Sequence, residues 1–185
     1  MLIGLLTDTH IPGSIRELFP EVRAAFKDVD LILHGGDIIT GGVLDWLEQI
    51  APVLAARGNN DFGWEDHRVQ DLHILDFEGW RLGMVHDLEP EERPIDYLHE
   101  QYFKKTRVDI MVSGHTHYER MECRDGVLMV NSGSPIHPHL FSTRLGTVGF
   151  LDIQKSRVEA RVVRLGESPG MRNPGKELSF TVPRL

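Results

Sequence analysis

Six short polar clusters in this chain carry side chains that bind metal ions or transfer protons, and each follows an apolar run. They are Asp8-Thr9-His10, Gly36-Asp37, Gly58-Asn59-Asn60-Asp61, His86, Gly114-His115-Thr116-His117 and Asn131-Ser132-Gly133-Ser134. Each cluster is a weak signal alone, because turns of Gly, Asn and Asp are common without any function. Together they offer carboxylate, imidazole and amide ligands without sulfur, a set that binds Mn, Fe, Co, Ni or Zn. In this order they predict a site that holds two divalent cations, as sites for phosphate-ester hydrolysis do.

The spacing within the clusters supports this interpretation. Asp8 and His10 are two residues apart, so in an extended segment both side chains would point the same way and reach one cation. His115 and His117 have the same spacing and could serve two adjacent cations. Asp37 follows two glycines, and its two carboxylate oxygens could each bind one cation. Two cations bridged in this way lie about 3.5–4 Å apart, the spacing used for in-line phosphoryl displacement.

The apolar runs predict the strands that position the clusters. The first 60 residues alternate between strand and helix patterns, which predicts a parallel sheet with helical crossovers. The predicted strands are 2–6, 31–33 and 52–56, and the predicted helices are 14–26, with Ser14 as cap and Glu17 completing a capping box, and 40–50. Since ligands bind at the carboxyl ends of strands in open α/β sheets, we expect the first three clusters at that edge.

The later part of the chain predicts hairpins and one more helix. Turn signals lie at Glu78-Gly79, Asp125-Gly126 and 154–156, and apolar or alternating runs flank each of them. The pattern also predicts a helix over 94–106, with Pro94 in its first turn, and a buried strand over 108–112. The fold class is therefore α/β, a sandwich of two sheets with helices outside. We expect one domain over 1–165, with 166–185 as an arm or a peripheral edge strand (178–182) of the same domain.

Composition narrows the class of protein. The net charge of −8, from 20 basic and 28 acidic residues, argues against binding to a nucleic-acid polymer. The single Cys123 excludes an internal disulfide and an all-thiolate metal site. No run approaches the roughly 20 apolar residues of a membrane helix, and the first residues lack a signal-peptide pattern. We therefore expect no membrane partner and a cytoplasmic location.

The combined motif resembles that of a known family. The set Asp-x-His, Gly-Asp, Gly-Asn-x-Asp, His, Gly-His-x-His and Asn-x-Gly-Ser is similar to the calcineurin-like metallophosphoesterases. The short length is similar to the small bacterial and archaeal phosphodiesterases, whose fold the retromer scaffold subunit shares. The resemblance covers roughly residues 1–165. It implies a four-layer αββα sandwich of the metallo-dependent phosphatase type, with two mixed β-sheets flanked by helices.

The resemblance also implies a ligand set and a mechanism. The ligands it implies for the first metal are Asp8, His10, Asp37 and His117, and those for the second are Asp37, Asn59, His86 and His115. Asp37 would bridge the two cations, with Mn as the first choice and Ni, Co, Fe or Zn as alternatives. In the family the nucleophile is a metal-bridging water or hydroxide. Asp61 would orient a neighbouring group of the site.

Asn60 and Asp87 depart from the family pattern, and Ser132, where proline is common, is a milder departure. Asn60 stands where many members carry a histidine that protonates the leaving group, and an amide cannot act as that acid. His137 and His139 are the alternative proton donors, and a surface location is the competing interpretation for both. Asp87 stands where the family usually has glycine, within an acidic stretch (87–92) that would form a rim or a solvated loop.

The expected function is hydrolysis of a small phosphate ester by a binuclear metal centre, with phosphodiesters favoured. A phosphomonoesterase and a dinucleoside-polyphosphate hydrolase stay open as alternatives within the same chemistry. A non-catalytic metal-binding scaffold for protein interaction is the alternative from a different class. The chain could also form a homo-oligomer.

Overall fold

Two β-sheets form the centre of the protein in a computed structural model that describes residues 1–13 and 15–184. The strands are β1 Leu2–Leu6, β2 Leu31–His34, β3 Val53–Ala56, β4 Val69–Gln70, β5 His73–Phe77, β6 Trp80–Met84, β7 Ile110–Ser113, β8 Glu119–Arg124, β9 Val127–Ser132, β10 Thr147–Gln154, β11 Arg157–Arg164 and β12 Leu178–Pro183. The helices are α1 Pro20–Phe26, α2 Gly41–Glu48 and α3 Ile95–Tyr102, and Pro138–Leu140 forms a 3-10 turn.

The first sheet has the strand order β12-β11-β10-β1-β2-β3-β4. Strands β1 to β4 run parallel, as the alternation of strands and helices predicted for the first three. Strands β10, β11 and β12 join β1 in antiparallel pairs, so the sheet is mixed. Strand β12, from the segment 166–185, forms one edge of this sheet.

The second sheet has the order β5-β6-β7-β9-β8. Two of the predicted hairpins lie here, with Phe77 opposite Trp80 and Arg124 opposite Val127. Strands β6, β7 and β9 run parallel, so this sheet is mixed as well. The carboxyl ends of β6 and β7 therefore meet at one edge.

Three apolar clusters hold four layers together. Helices α1 and α2 pack on the outer face of the first sheet, with Val22, Phe26 and Leu44 among the buried residues. Side chains from both sheets fill the space between them, and α3 packs on the outer face of the second sheet. Gly83 in β6 allows Phe103, the residue after α3, to pack against this sheet, because a Cβ at position 83 would lie 2.4 Å from the Phe103 ring. The predicted αββα sandwich is confirmed.

The bounds of two predicted helices were wrong. The first helix begins at Pro20 and not near residue 14, because the residue before a proline avoids helical geometry and proline suits the first helical position. Glu17 is exposed outside the helix, and the predicted cap Ser14 lies outside the described residues. Helix α3 ends at Tyr102, before Lys104 and Lys105, both of which have positive φ. Pro94 precedes that helix as its N-cap. The two-residue strand β4 was not predicted.

Candidate metal centre

The predicted ligand residues lie in loops at the same end of the two sheets. Asp8 and His10 follow β1, Asp37 follows β2, Asn59 follows β3, His86 follows β6, and His115 and His117 follow β7. The first sheet supplies four of these side chains and the second sheet supplies three. The structure therefore brings the seven predicted ligands together between the two sheets.

The first group of ligand atoms surrounds His117. Its Nε2 lies 3.2 Å from Nε2 of His10 and 3.7 Å from Oδ1 of Asp8. Nε2 of His10 lies 3.5 Å from Oδ2 of Asp37. Asp8 is fully buried, and its Oδ1 has no hydrogen-bond partner among the described residues. A buried carboxylate oxygen beside two imidazoles fits a cation, which would supply the missing partner.

The second group surrounds Asn59. Its Oδ1 lies 3.0 Å from Nε2 of His86 and 3.0 Å from Nδ1 of His115. Those two ring nitrogens are 3.3 Å apart. Oδ1 of Asp37 lies 3.6 Å from Nε2 of His86, so the two oxygens of Asp37 face different groups. This is the arrangement a bridging carboxylate requires.

Backbone carbonyl groups fix the proton positions on two of the histidines. Nδ1 of His86 donates to the Gly35 carbonyl at 2.7 Å, and Nδ1 of His117 donates to the His137 carbonyl at 2.9 Å. In the neutral rings, Nε2 then carries a lone pair and no hydrogen. The 3.0 Å contact between Nε2 of His86 and Oδ1 of Asn59 therefore joins two acceptors. A cation between these atoms would make the contact favourable.

Burial sets the protonation of the centre. It lowers the pKa of His10 and His86, and it lowers the pKa of His117 to about 4, so these rings are neutral at pH 7. Burial raises the pKa of the Asp8 carboxyl well above its ordinary value. For Asp37, burial acts in the same direction, but two hydrogen bonds from Asn60, together with the nearby His86 and His10, outweigh it and lower its pKa. Neutral imidazoles are the form that binds metal, and a bound cation would favour the ionised form of the Asp8 carboxyl.

The ligand loops have an unusual backbone. Five ligand residues have φ between 46° and 70°, in the left-handed region that few residues other than glycine adopt: Asp8, His10, Asp37, His115 and His117. The extended conformation expected for these segments is therefore wrong. The amide of Asp8 donates to the Gly36 carbonyl and that of His10 to the Asp37 carbonyl, both at 2.9 Å. These bonds hold the two loops side by side in the strained conformation.

Asp61 and Asn60 support the Asp37 loop. Oδ1 of Asp61 accepts hydrogen bonds from the amides of Ile38 and Ile39 at 2.8 and 2.7 Å, and its Oδ2 accepts one from Gly58 at 2.8 Å. Asn60 donates to both Asp37 oxygens, at 2.9 Å from its amide and 2.6 Å from its side chain. The loops approach so closely that a Cβ on Gly58 would lie 2.2 Å from Oδ1 of Asp37.

The two candidate proton donors differ in their surroundings. The His137 ring lies 6.1 Å from the His10 ring and 6.5 Å from the His117 ring, centroid to centroid. His139 is held away from this position, because its Nε2 lies 2.7 Å from Oε2 of the buried Glu119 and its ring stacks on Tyr118. His137 is therefore the better placed of the two.

Sequence reasoning missed several supporting residues. His34 is fully buried, accepts a hydrogen bond from the Gly36 amide at 3.1 Å and donates to the Thr9 hydroxyl at 3.0 Å, which joins two ligand loops. Its only signal was a polar residue at the end of an apolar strand. Ser134 donates to the Asp8 carbonyl at 2.9 Å, and Asn131 donates to the Gly114 carbonyl at 2.7 Å. The motif that contains both residues was recognised, but not these contacts.

An αββα sandwich with this ligand set at its strand ends is typical of metal-dependent phosphoesterases. The chain belongs to the calcineurin-like phosphoesterase superfamily, whose domain model matches residues 1–156. The resemblance inferred from the motifs is therefore confirmed.

Individual relatives agree with this family. One from Methanothermobacter thermautotrophicus, named "Probable metallophosphoesterase", is 34% identical over 171 residues, which cover 90% of this chain and 94% of the relative. A phosphodiesterase of Methanocaldococcus jannaschii is 26% identical over 172 residues, which cover 84% of this chain and 95% of the relative. The solved structure of Chaetomium thermophilum Vps29 has a TM-score of 0.79 at 18% identity and covers 100% of this chain and 97% of its own. At that identity the likeness shows the fold alone.

Proposed function

We propose that the protein hydrolyses phosphate esters at a pair of divalent cations, and that phosphodiesters are its favoured substrates. Family membership supports a hydrolase of this class, and the relative named a phosphodiesterase supports the preference for diesters. The substrate would be a small phosphate ester. Manganese is the expected native metal, with nickel, cobalt, iron and zinc as alternatives.

One observation carries the proposal: two groups of ligand atoms lie side by side, and Asp37 faces both of them. Its Oδ2 lies 3.5 Å from Nε2 of His10, and its Oδ1 lies 3.6 Å from Nε2 of His86. The ligand atoms of Asp8, His10 and His117 all lie within 4.8 Å of one another, and so do those of Asp8, Asp37 and His86. A purely structural role would leave Oδ1 of Asp8 unpaired and two acceptors in contact at Asn59. Such arrangements are unfavourable in a buried site unless a cation is bound.

The chain's own residues would do three things. His10, Asp8, Asp37 and His117 would hold one cation, and Asp37, Asn59, His86 and His115 would hold the other. When bound, the two cations would supply hydroxide at neutral pH and withdraw charge from the phosphoryl oxygens. His137, beside His10 and His117, would protonate the leaving oxygen. Asn60 would keep Asp37 ionised through its two hydrogen bonds.

The test is metal reconstitution with matched variants. The metal-stripped protein is loaded with Mn, Ni, Co or Zn and assayed on mono- and diesters of phosphate, and bound metal is counted by mass spectrometry. We expect two cations per chain and diester hydrolysis. We expect Asp37→Ala and His115→Ala to abolish it, while His67→Ala, which changes a histidine whose side chain is 89% exposed, leaves it intact. More than about a tenth of the wild-type rate in either ligand variant would contradict the assigned site.

A second candidate function is a non-catalytic scaffold that binds a protein partner. The fold shared with Vps29 is compatible with it, and several large apolar side chains are exposed, one after the loop that contains Asn59 and two after His137. Phe62 is 79% exposed, Leu140 68% and Phe141 51%. If the loaded protein is inactive on every ester of the panel, this candidate replaces the first. The panel also separates a diesterase from a monoesterase or a dinucleoside-polyphosphate hydrolase.

A further inference from the structure

A pocket of about 490 Å³ opens beside the second ligand group, and Asn59 and His86 form part of its wall. Its size is within the range of small-molecule sites. Neither the ligand assignment nor the family relationship gives this pocket a role. Any ester bound at the metal centre would have this space next to it.

The inner wall of the pocket is apolar and fixed. Leu72, Val85 and the Tyr102 ring line it, and all three pack on the apolar cluster under helix α3. The Tyr102 hydroxyl donates to the Glu89 carbonyl, which holds the ring in place. A rigid apolar wall of this kind suits the face of a ring.

Charges around the pocket balance. Arg57 and Lys104 line it together with Asp71 and Asp87. The Arg57 guanidinium is already occupied by carboxylates, at 3.2 Å from Glu65 and 3.5 Å from Asp71. Lys104 makes no ion pair within the part of the chain that the structure describes, but Asp87 lines the same pocket. Without an excess of positive charge, the pocket does not favour a second phosphate group.

The pocket and the candidate acid adjoin different ligand groups. His137 lies beside His10 and His117, which belong to the first ligand group. The pocket lies beside Asn59 and His86, which belong to the second. If His137 protonates the leaving oxygen, the departing group of a diester lies beside the first ligand group. The ester arm that stays on the phosphate then lies beside the pocket.

We propose that this pocket binds the retained ester arm of a phosphodiester, and that this arm is an uncharged ring-bearing group with polar atoms at its edge, as in a nucleoside. The proposal rests on the proposed function and deepens it. A monoester lacks this arm, so the pocket would supply binding that only diesters can use.

The test compares two substrates with the same leaving group. Bis(p-nitrophenyl) phosphate retains an aromatic arm after hydrolysis, and methyl p-nitrophenyl phosphate retains a methyl group. Gln101→Trp places a bulky side chain in the pocket from the exposed surface of α3. Glu100→Trp is the matched control, because residue 100 is exposed on the same helix and does not line this pocket.

The outcomes separate the two proposals. In the Mn-loaded wild type we expect a lower KM for the bis ester than for the methyl ester. We expect Gln101→Trp to raise the KM for the bis ester about tenfold while that for the methyl ester changes less than about twofold. Equal KM values in the wild type, or equal effects of Gln101→Trp on both esters, would overturn the pocket assignment alone. A loaded wild type that hydrolyses neither ester would overturn the proposed function and this inference with it. If the variant fails to fold, the wild-type comparison decides the question.

Discussion

At the scale of single residues, hydrogen bonds from outside the ligand set decide what the ligands can do. The Gly35 and His137 carbonyls accept hydrogen bonds from Nδ1 of His86 and His117. The Nε2 lone pairs of these rings therefore face the centre. Hydrogen bonds of this kind orient metal-binding imidazoles and raise their basicity. The chemistry of the centre therefore depends on backbone carbonyl groups that would touch neither metal nor substrate.

Asp61 offers a direct test of that dependence. Its carboxylate accepts from the amides of Ile38, Ile39 and Gly58, so an asparagine would turn an NH2 group toward at least one N–H donor. We expect Asp61→Asn to weaken Mn binding about 10–100-fold and to lower the free energy of unfolding by about 1–3 kcal/mol. Calorimetric titration and urea unfolding measure the two effects. Asp71→Asn, at a side chain 89% exposed, is the control, and unchanged Mn affinity in Asp61→Asn would refute the supporting role.

His137 can be tested through the leaving group. A general acid matters most when the departing oxygen is strongly basic, whereas p-nitrophenolate leaves without help. We expect His137→Gln to slow hydrolysis of an alkyl phosphodiester about 10²-fold and to slow that of a p-nitrophenyl diester much less. Rate measurements on the two esters test this role of His137, with the exposed His67→Gln as control. Equal losses on both substrates would mean that His137 has another role.

At the scale of secondary-structure elements, the sequence predicted the strands much better than the loops. Runs such as Leu2–Leu6 and 31–33 are apolar because both faces of their sheet are covered, and that pattern is visible in the chain. The positive φ values of Asp8 and His115 leave no trace in hydrophobic periodicity, since they depend on hydrogen bonds between distant loops. For the same reason, the ligand types could be predicted from the sequence but the role of His34 could not.

The contact between α2 and the segment before β4 shows how polar groups join elements. The buried Arg68 side chain lies 2.7 Å from Asp45 and 2.8 Å from Glu48 on the helix, and 2.6 Å from Asp66. The hydrogen bonds from Arg68 lower the pKa of Asp66 to about 2. One guanidinium thus pairs with three carboxylates and fixes the chain as it enters the edge strand.

This ion cluster predicts a pH-dependent contribution to stability. Because the pKa of Asp66 is lowered from 3.8 to about 2 in the folded protein, its carboxylate stabilises the fold above pH 3.8, and the effect is lost as the pH falls through about 2. We expect Asp66→Asn to lower the free energy of unfolding by about 1–2 kcal/mol at pH 7. The difference from wild type should shrink steadily below pH 4. Urea unfolding across this range measures it, with Glu65→Gln, at a side chain 91% exposed, as control. A difference that does not depend on pH would exclude the ion cluster as its cause.

At the scale of the whole molecule, the centre connects the two sheets. Asp8, His10, Asp37 and Asn59 come from loops of the first sheet, and His86, His115 and His117 come from loops of the second. Apolar side chains join the sheets elsewhere, but at this edge polar ligand atoms face one another. Bound cations would thus replace apolar packing as the connection at this edge.

Within the described residues, no helix has the length and apolarity to cross a membrane.

Metal bound between the two sheets should stabilise the folded chain. A cation that binds only the folded chain stabilises it by about 2.7 kcal/mol per site at a concentration about 100 times its Kd. We therefore expect Mn to raise the urea midpoint of the wild type and a chelator to lower it again. Asp37→Ala should lose most of this shift, because Asp37 faces both ligand groups, whereas His67→Ala should keep it. This measurement needs no substrate, so it tests the centre independently of catalysis. If Mn leaves the midpoint of the wild type unchanged, the two sheets are not joined through metal, and the facing lone pairs at Asn59 and His86 need another explanation.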